Sequence, residues 1–160
     1  MDPTRPCIDT SGNFHVITDI YDVHDYCGDP QVFKERYDRL VTNNELYEAV
    51  LEGNPGRQKY NGGPVFVSEY GGIKWTGDAS VQSWGYGEDV QTPQAFAARY
   101  CGLTDALVQN EKICGFCYTQ LYDIEQEQNG LYTYDRQKKF SEEIYERIRR
   151  SNTAKAAIEE

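Results

Sequence analysis

Long apolar runs, an excess of basic residues and a second metal-ligand pair are all missing from this chain of 160 residues. No stretch approaches the roughly 18 to 20 apolar residues that a membrane span needs. The opening residues, MDPTRPCIDT, hold no basic segment leading into an apolar one, so no signal peptide is expected there. Lys and Arg number 16 against 26 Asp and Glu, a formal charge of −10, with an isoelectric point near 4.7. Phosphates are repelled by such a chain, which argues against nucleic acid or an anionic membrane surface as partner. No glycine-rich phosphate loop follows any strand-like run, so a nucleotide-binding fold has no positive support.

Cysteine is present but poorly placed for zinc. Five cysteines include Cys114 and Cys117 as C-x-x-C, and the two histidines, His15 and His24, lie far upstream. A zinc or redox motif needs a further ligand pair or a thioredoxin-like context. Residues three apart on a strand point to opposite faces, which also opposes a local disulfide. Buried free thiols in a reducing, cytoplasmic compartment are therefore expected.

What is there alternates between strand and helix. CIDTSG is a short extended candidate, and HVITDIYDVHDY alternates with period two. Asp29 and Pro30 open a helix whose Phe33, Tyr37 and Leu40 form one apolar stripe. After the loop LEGNPGRQKYNGG comes the strand VFVSE, followed by the long polar and aromatic loop YGGIKWTGDASVQSWGYGEDVQ. Thr92 and Pro93 start a second helix with Phe96, Tyr100, Leu103 and Leu107 on one face. KICGFCYTQL reads as the next buried strand, before a second polar loop. Ser141 opens a last helix with Glu142 and Glu143 at its start and Arg147, Arg149 and Arg150 near its end, in accord with the helix dipole. This pattern predicts parallel βα units with polar groups gathered at the strands' C-terminal ends. Open α/β sheets and (β/α)8 barrels both build their sites there.

The stretch VFVSEYGG ends a buried strand on a carboxylate, an awkward place for a charge. By alternation Val65, Val67 and Glu69 share one face and Phe66 and Ser68 the other. Glu69 is then either the first solvated residue or a group aimed into a site, with Gly71 and Gly72 turning the chain away. His24 and Tyr26 share a face at the end of their strand, and the tyrosine hydroxyl is a candidate hydrogen bond to Glu69. Trp75, Trp84 and Tyr86 are either packing or aromatic faces for sugar rings. The run Glu125, Gln126, Glu127, Gln128 is either solvated or reaches into a cleft.

The blocks DPTRPCIDTSG, TDIYDVHDY, VFVSEYGGIKW, SWGYG and ICGFCYTQLYDIEQEQNGLYTYDR resemble the C-terminal part of the catalytic barrel of glycoside hydrolase family 2. That family comprises β-galactosidases, β-glucuronidases and β-mannosidases. The resemblance runs from about Asp2 to Arg150 and implies a partial (β/α)8 TIM barrel, an α/β fold holding strands five to eight. Residues 1–150 form that segment and 151–160 a tail. Glu69 matches the catalytic nucleophile, and His24, Tyr26 and Tyr118 match sugar-contacting positions, with Trp75 and Trp84 as further substrate contacts. The family is retaining, so a second carboxyl about 5 Å from Glu69 acts as acid and then base.

That second group matches nothing in the chain. It sits in an Asn-Glu pair on the fourth strand, whereas Asn44-Glu45 falls inside an expected helix and Asn110-Glu111 at a helix end. A whole barrel takes about 250 residues. The resemblance thus implies a cofactor-free fragment of a glycosidase that hydrolyses terminal β-linked sugars. Its upstream barrel half and β-sandwich domains belong to a longer protein, and the chain alone is expected to be inactive. The competing expectation is a complete, non-catalytic α/β carbohydrate-binding or interaction protein.

Overall fold

A computed structural model describes residues 4–12, 14–47, 56–77 and 82–159. Three strands, β1 (Tyr21–Asp25), β2 (Val65–Gly71) and β3 (Ile113–Thr119), alternate with helices α1 (Pro30–Asn43), α2 (Pro93–Val108) and α3 (Glu142–Asn152). The sheet is parallel throughout, with its strands in chain order β1-β2-β3. Right-handed crossovers between strands in that order put successive helices on the same face. No reversal of strand order occurs among the described strands.

Each helix starts where its sequence chemistry places it. Asp29 accepts hydrogen bonds from the backbone of Gln31 and Val32, and Pro30 takes the first turn, where its missing N–H costs nothing. Thr92 caps α2 through the amide of Ala95. Ser141 precedes α3 without a side-chain cap bond, and that helix relies on Glu142 and Glu143 at its start and Arg149 and Arg150 at its end. The helix ends at Asn152, two residues into the segment 151–160.

The core lies between the sheet and the helices. Val65, Val67 and Tyr70 of β2 are fully buried against Phe33, Tyr37 and Leu40 of α1 and Phe96, Leu103 and Leu107 of α2. Burying such side chains contributes about 1.5–3 kcal/mol each. Tyr70 and Thr104 share a buried hydroxyl contact of 2.7 Å, so the tyrosine's polar end is satisfied within the core.

Several expectations are corrected. CIDTSG is no strand: Asp9 accepts from the amides of Val16 and Ile17 and from His15, so side-chain bonds fold the segment into a turn. The period-two run from His15 yields a strand only from Tyr21 onward, with Val16 and Ile17 exposed. Three described strands therefore stand where four were expected. Asn44 is not inside α1 but caps its end in the left-handed conformation, φ 55°. The third strand stops at Thr119. All five thiols are free, yet only Cys101 is buried, and Cys114 and Cys117 are exposed. Residues 51–55 and 78–81 of the two expected loops, with Asp2 and Pro3, lie outside the described residues. Among those described, no helix is long and apolar enough to cross a membrane.

The capping chemistry is open to test. Asp29→Ala should lower the unfolding free energy by about 1 kcal/mol, and Ser141→Ala by less than about 0.5 kcal/mol. Urea denaturation of the two variants measures both, and equal losses would contradict the difference in caps.

Candidate functional site

A register shift in β2 builds the site. Against β1, Phe66 pairs with Asp22 and Glu69 with His24, so three steps on β2 meet two on β1. Against β3, Val67 pairs with Phe116 and Tyr70 with Tyr118, again three steps against two. One extra residue therefore sits in β2 around Ser68, a β-bulge. An extra residue exchanges the faces of everything after it. Tyr70 stays on the helix-facing side with Val65 and Val67, and Glu69 turns to the opposite face beside His24. The expectation that Glu69 shares a face with the two valines is thereby overturned.

On that open face the Glu69 carboxylate gathers partners. The Tyr26 hydroxyl donates to its Oε2, and His24 Nδ1 lies 3.3 Å from the same oxygen. The side chain remains 40 % exposed, within reach of a ligand. Tyr26 follows the last residue of β1, so it reaches Glu69 from the end of the sheet. Desolvation and the bond to Glu69 push the Tyr26 phenol pKa well above its ordinary value, which keeps it a donor. Its ring stacks on Tyr86, with centroids 3.6 Å apart and planes at 12°.

His24 is held from behind as well. Ser11 Oγ lies 3.1 Å from Nε2, and the buried Asp22 carboxylate is 3.8 Å from it while accepting the Gly12 amide at 2.8 Å. His15 supports this layer by contacting the backbone of Asp22 and, through Nδ1, Asp9 at 2.7 Å. Ser11 and Asp22 were missed as site residues, and Tyr86, read as packing or a sugar platform, supports Tyr26. The DTSG run read as a strand, although Asp, Thr and Ser in succession are a signal for side-chain-to-backbone turns.

The glycines after Glu69 are steric requirements. Gly71 and Gly72 have φ of 85° and 58°. A Cβ on Gly72 would run into the Tyr86 and Tyr26 rings, and one on Gly71 into the Tyr118 ring. The loop that follows is laced to the loop after β3. Tyr86 N donates to Gly72 O, Trp84 N to Gln126 O, and Gln128 N to Trp84 O, at 2.8, 2.8 and 3.1 Å. Glu125 and Gln126 are exposed, and Glu127 and Gln128 half-buried.

The expected contact residues divide. Trp84 is exposed and meets Tyr86 edge-on at 5.8 Å, which continues an aromatic surface from Tyr26. Trp75 stacks on Phe140 and lines a cavity apart from the Glu69 cluster. Tyr118 faces the helices with Tyr70, its hydroxyl accepting the Ile73 amide and donating to the Asn129 carbonyl. It supports the loops and does not stand beside His24 and Tyr26. Among the described residues no group of three or more His, Cys, Asp or Glu is arranged to hold a metal.

Solved structures share this fold. β-Glucuronidase from Faecalibacterium prausnitzii aligns with a TM-score of 0.53 at 15 % identity, covering 87 % of this chain and 22 % of its own. Bifidobacterium dentium β-glucuronidase gives 0.53 at 16 %, covering 85 % and 21 %. The agarase AgWH50C gives 0.56 at 12 %, covering 85 % and 17 %. The chain thus spans about a fifth of the length of these enzymes. No protein-family profile matches the sequence, and no curated protein does.

The layer behind His24 carries a pH signature. Desolvation would raise the Asp9 pKa, but hydrogen bonds from His15, Val16 and Ile17 outweigh it and bring the value from 3.8 to about 2. A depressed folded pKa gives stability that is fully present above the unfolded value and disappears as pH falls through the folded one. Stability contributed by Asp9 should therefore be lost between pH 3.8 and about 2. Asp9→Asn should flatten the acid limb of a stability–pH profile in that window, and an unchanged limb would contradict the assignment.

Proposed function

We propose that the chain is the nucleophile-bearing segment of the catalytic barrel of a retaining β-glycosidase of glycoside hydrolase family 2. Its three strands are successive parallel units of that barrel, and Glu69 stands at the C-terminal end of one of them. The observation that carries the reading is the convergence on Glu69 Oε2 of Tyr26 and His24, both from the end of the neighbouring strand. A carboxylate that is merely solvated at a strand end has no need of two oriented partners on an open face.

The chemistry follows from that geometry. Glu69 attacks the anomeric carbon as the glycosidic bond breaks, and a carboxylic acid from the rest of the longer protein protonates the departing oxygen. The same group, now a carboxylate, takes a proton from water, which displaces Glu69 and releases the sugar with retained configuration. The Tyr26 hydroxyl orients the attacking carboxylate and favours its charged form. His24 fixes the other side of that oxygen, and Tyr86 with Trp84 supplies aromatic surface for the sugar. Tyr118 acts at one remove, holding the backbone of the loop that follows Gly72. The β-glucuronidase and agarase structures support the fold and the glycosidase class.

A glycoside bearing a 2-fluoro group and a good leaving group tests the proposal, because its glycosyl-enzyme forms and then hydrolyses slowly. In the longer protein the adduct should be found on Glu69 by peptide mass spectrometry, and Glu69→Gln should lose labelling and nearly all turnover. Tyr26→Phe should lower kcat by roughly 10- to 100-fold with a smaller change in KM. The isolated chain should label far more slowly, since much of the positioning surface is lacking. An adduct on another carboxylate, or full turnover in Glu69→Gln, overturns the assignment.

A further inference from the structure

The loops after β2 and β3 line an open cavity of about 330 Å³, and no residue of the Glu69 cluster belongs to it. Aromatic surface comes from Trp75 and Tyr134, and polar groups from Asp123, Glu125, Asp135 and Gln128. Trp75 is fixed from two directions: its ring stacks on Phe140, and its amide donates to Gln128 O at 2.9 Å. Part of the wall is a buried ion pair. Lys139, 4 % exposed, reaches both oxygens of Asp123 at 2.8 and 3.0 Å, and Asp123 Oδ1 also accepts the Gly130 amide. Desolvation lowers the Lys139 pKa against the opposing pull of Asp123, and each of the two groups has the other as its ionic partner. Glu125 and Asp135, both exposed, are left as charged acceptors at the cavity.

We propose that this cavity binds a neutral pyranose ring, at a site separate from Glu69. Its volume is at the lower end of the roughly 300–1,000 Å³ of small-molecule sites, enough for one ring. Trp75 offers an apolar face for the ring's C–H surface, fixed before binding so that little entropy is lost. Glu125 and Asp135 accept hydrogen bonds from ring hydroxyls, and a bond to an ionised acceptor is stronger than a neutral one. Three carboxylates against one ammonium disfavour a uronate or a sulfated sugar. Only the choice of a sugar over another neutral polyol rests on the glycosidase reading.

The chain has two tryptophans, so its indole N–H groups give two NMR signals, assigned with Trp84→Phe. Titration of the chain with methyl β-galactopyranoside and methyl β-glucopyranoside should shift the Trp75 indole signal saturably. The shift should persist in Glu69→Gln and weaken roughly tenfold in Glu125→Gln or Asp135→Asn, exposed changes that leave the core intact. Glucuronate and choline should bind at least about tenfold more weakly than the better glycoside. A Trp75 signal that does not move, or that stops moving in Glu69→Gln, overturns the proposal. So does tighter binding of choline, which would make this a cation site, or equal binding of glucuronate. Because Glu69→Gln is expected to bind normally, failure here and failure of the nucleophile assignment are separate outcomes.

Discussion

The extra residue near Ser68 is the constraint on which the rest of the arrangement depends. β2 must keep filling the helix-facing core as far as Tyr70, which is fully buried and shares its hydroxyl with Thr104. Strict alternation would put Glu69 on the same face as Val65 and Val67, where an unpaired charge is costly. The bulge reconciles the two demands. It keeps Tyr70 on the core side and turns Glu69 outward beside His24, for the loss of regular pairing at one position on each neighbouring strand.

Everything around Glu69 is then fitted to that orientation. Tyr26 reaches the carboxylate with its ring lying flat on Tyr86, and the two rings leave no room for a side chain on Gly72. Tyr86 is in turn placed by its amide bond to Gly72 O and by the lacing of Trp84 to Gln126 and Gln128. On the far side, the turn held by Asp9 and His15 sets Ser11 and Asp22 against His24. The open face is thus assembled from segments far apart in the chain. The buried aromatic core beneath them is what holds their relative positions.

The helices were the most legible elements, because their signals are local. Asp29-Pro30 and Thr92-Pro93 state where a helix begins, and the spacing of Phe33, Tyr37 and Leu40 states which face is buried. The strands were recognised but mismeasured. Side-chain bonds from Asp9 competed with extended structure near Cys7, and bulges do not announce themselves in the periodicity. Glu69, His24 and Tyr26 were identified together, and the sharing of a face by Glu69 and the valines was wrong for the same reason. Cys114 and Cys117 looked buried because strand residues usually are, whereas β3 lies at the edge of the described sheet and Cys117 falls on its open face. The different surroundings of Trp75 and Trp84 are tertiary facts with no local trace in the sequence.

The orientation imposed by the bulge can be measured without any turnover. Nuclear Overhauser contacts from the Glu69 methylene protons in the 160-residue chain report which face they occupy. Cross-peaks from those protons to the His24 and Tyr26 rings, together with contacts between the Tyr70 ring and Phe33, are the predicted result. Contacts from Glu69 to the Val65 and Val67 methyl groups, with none to His24 or Tyr26, would contradict the account.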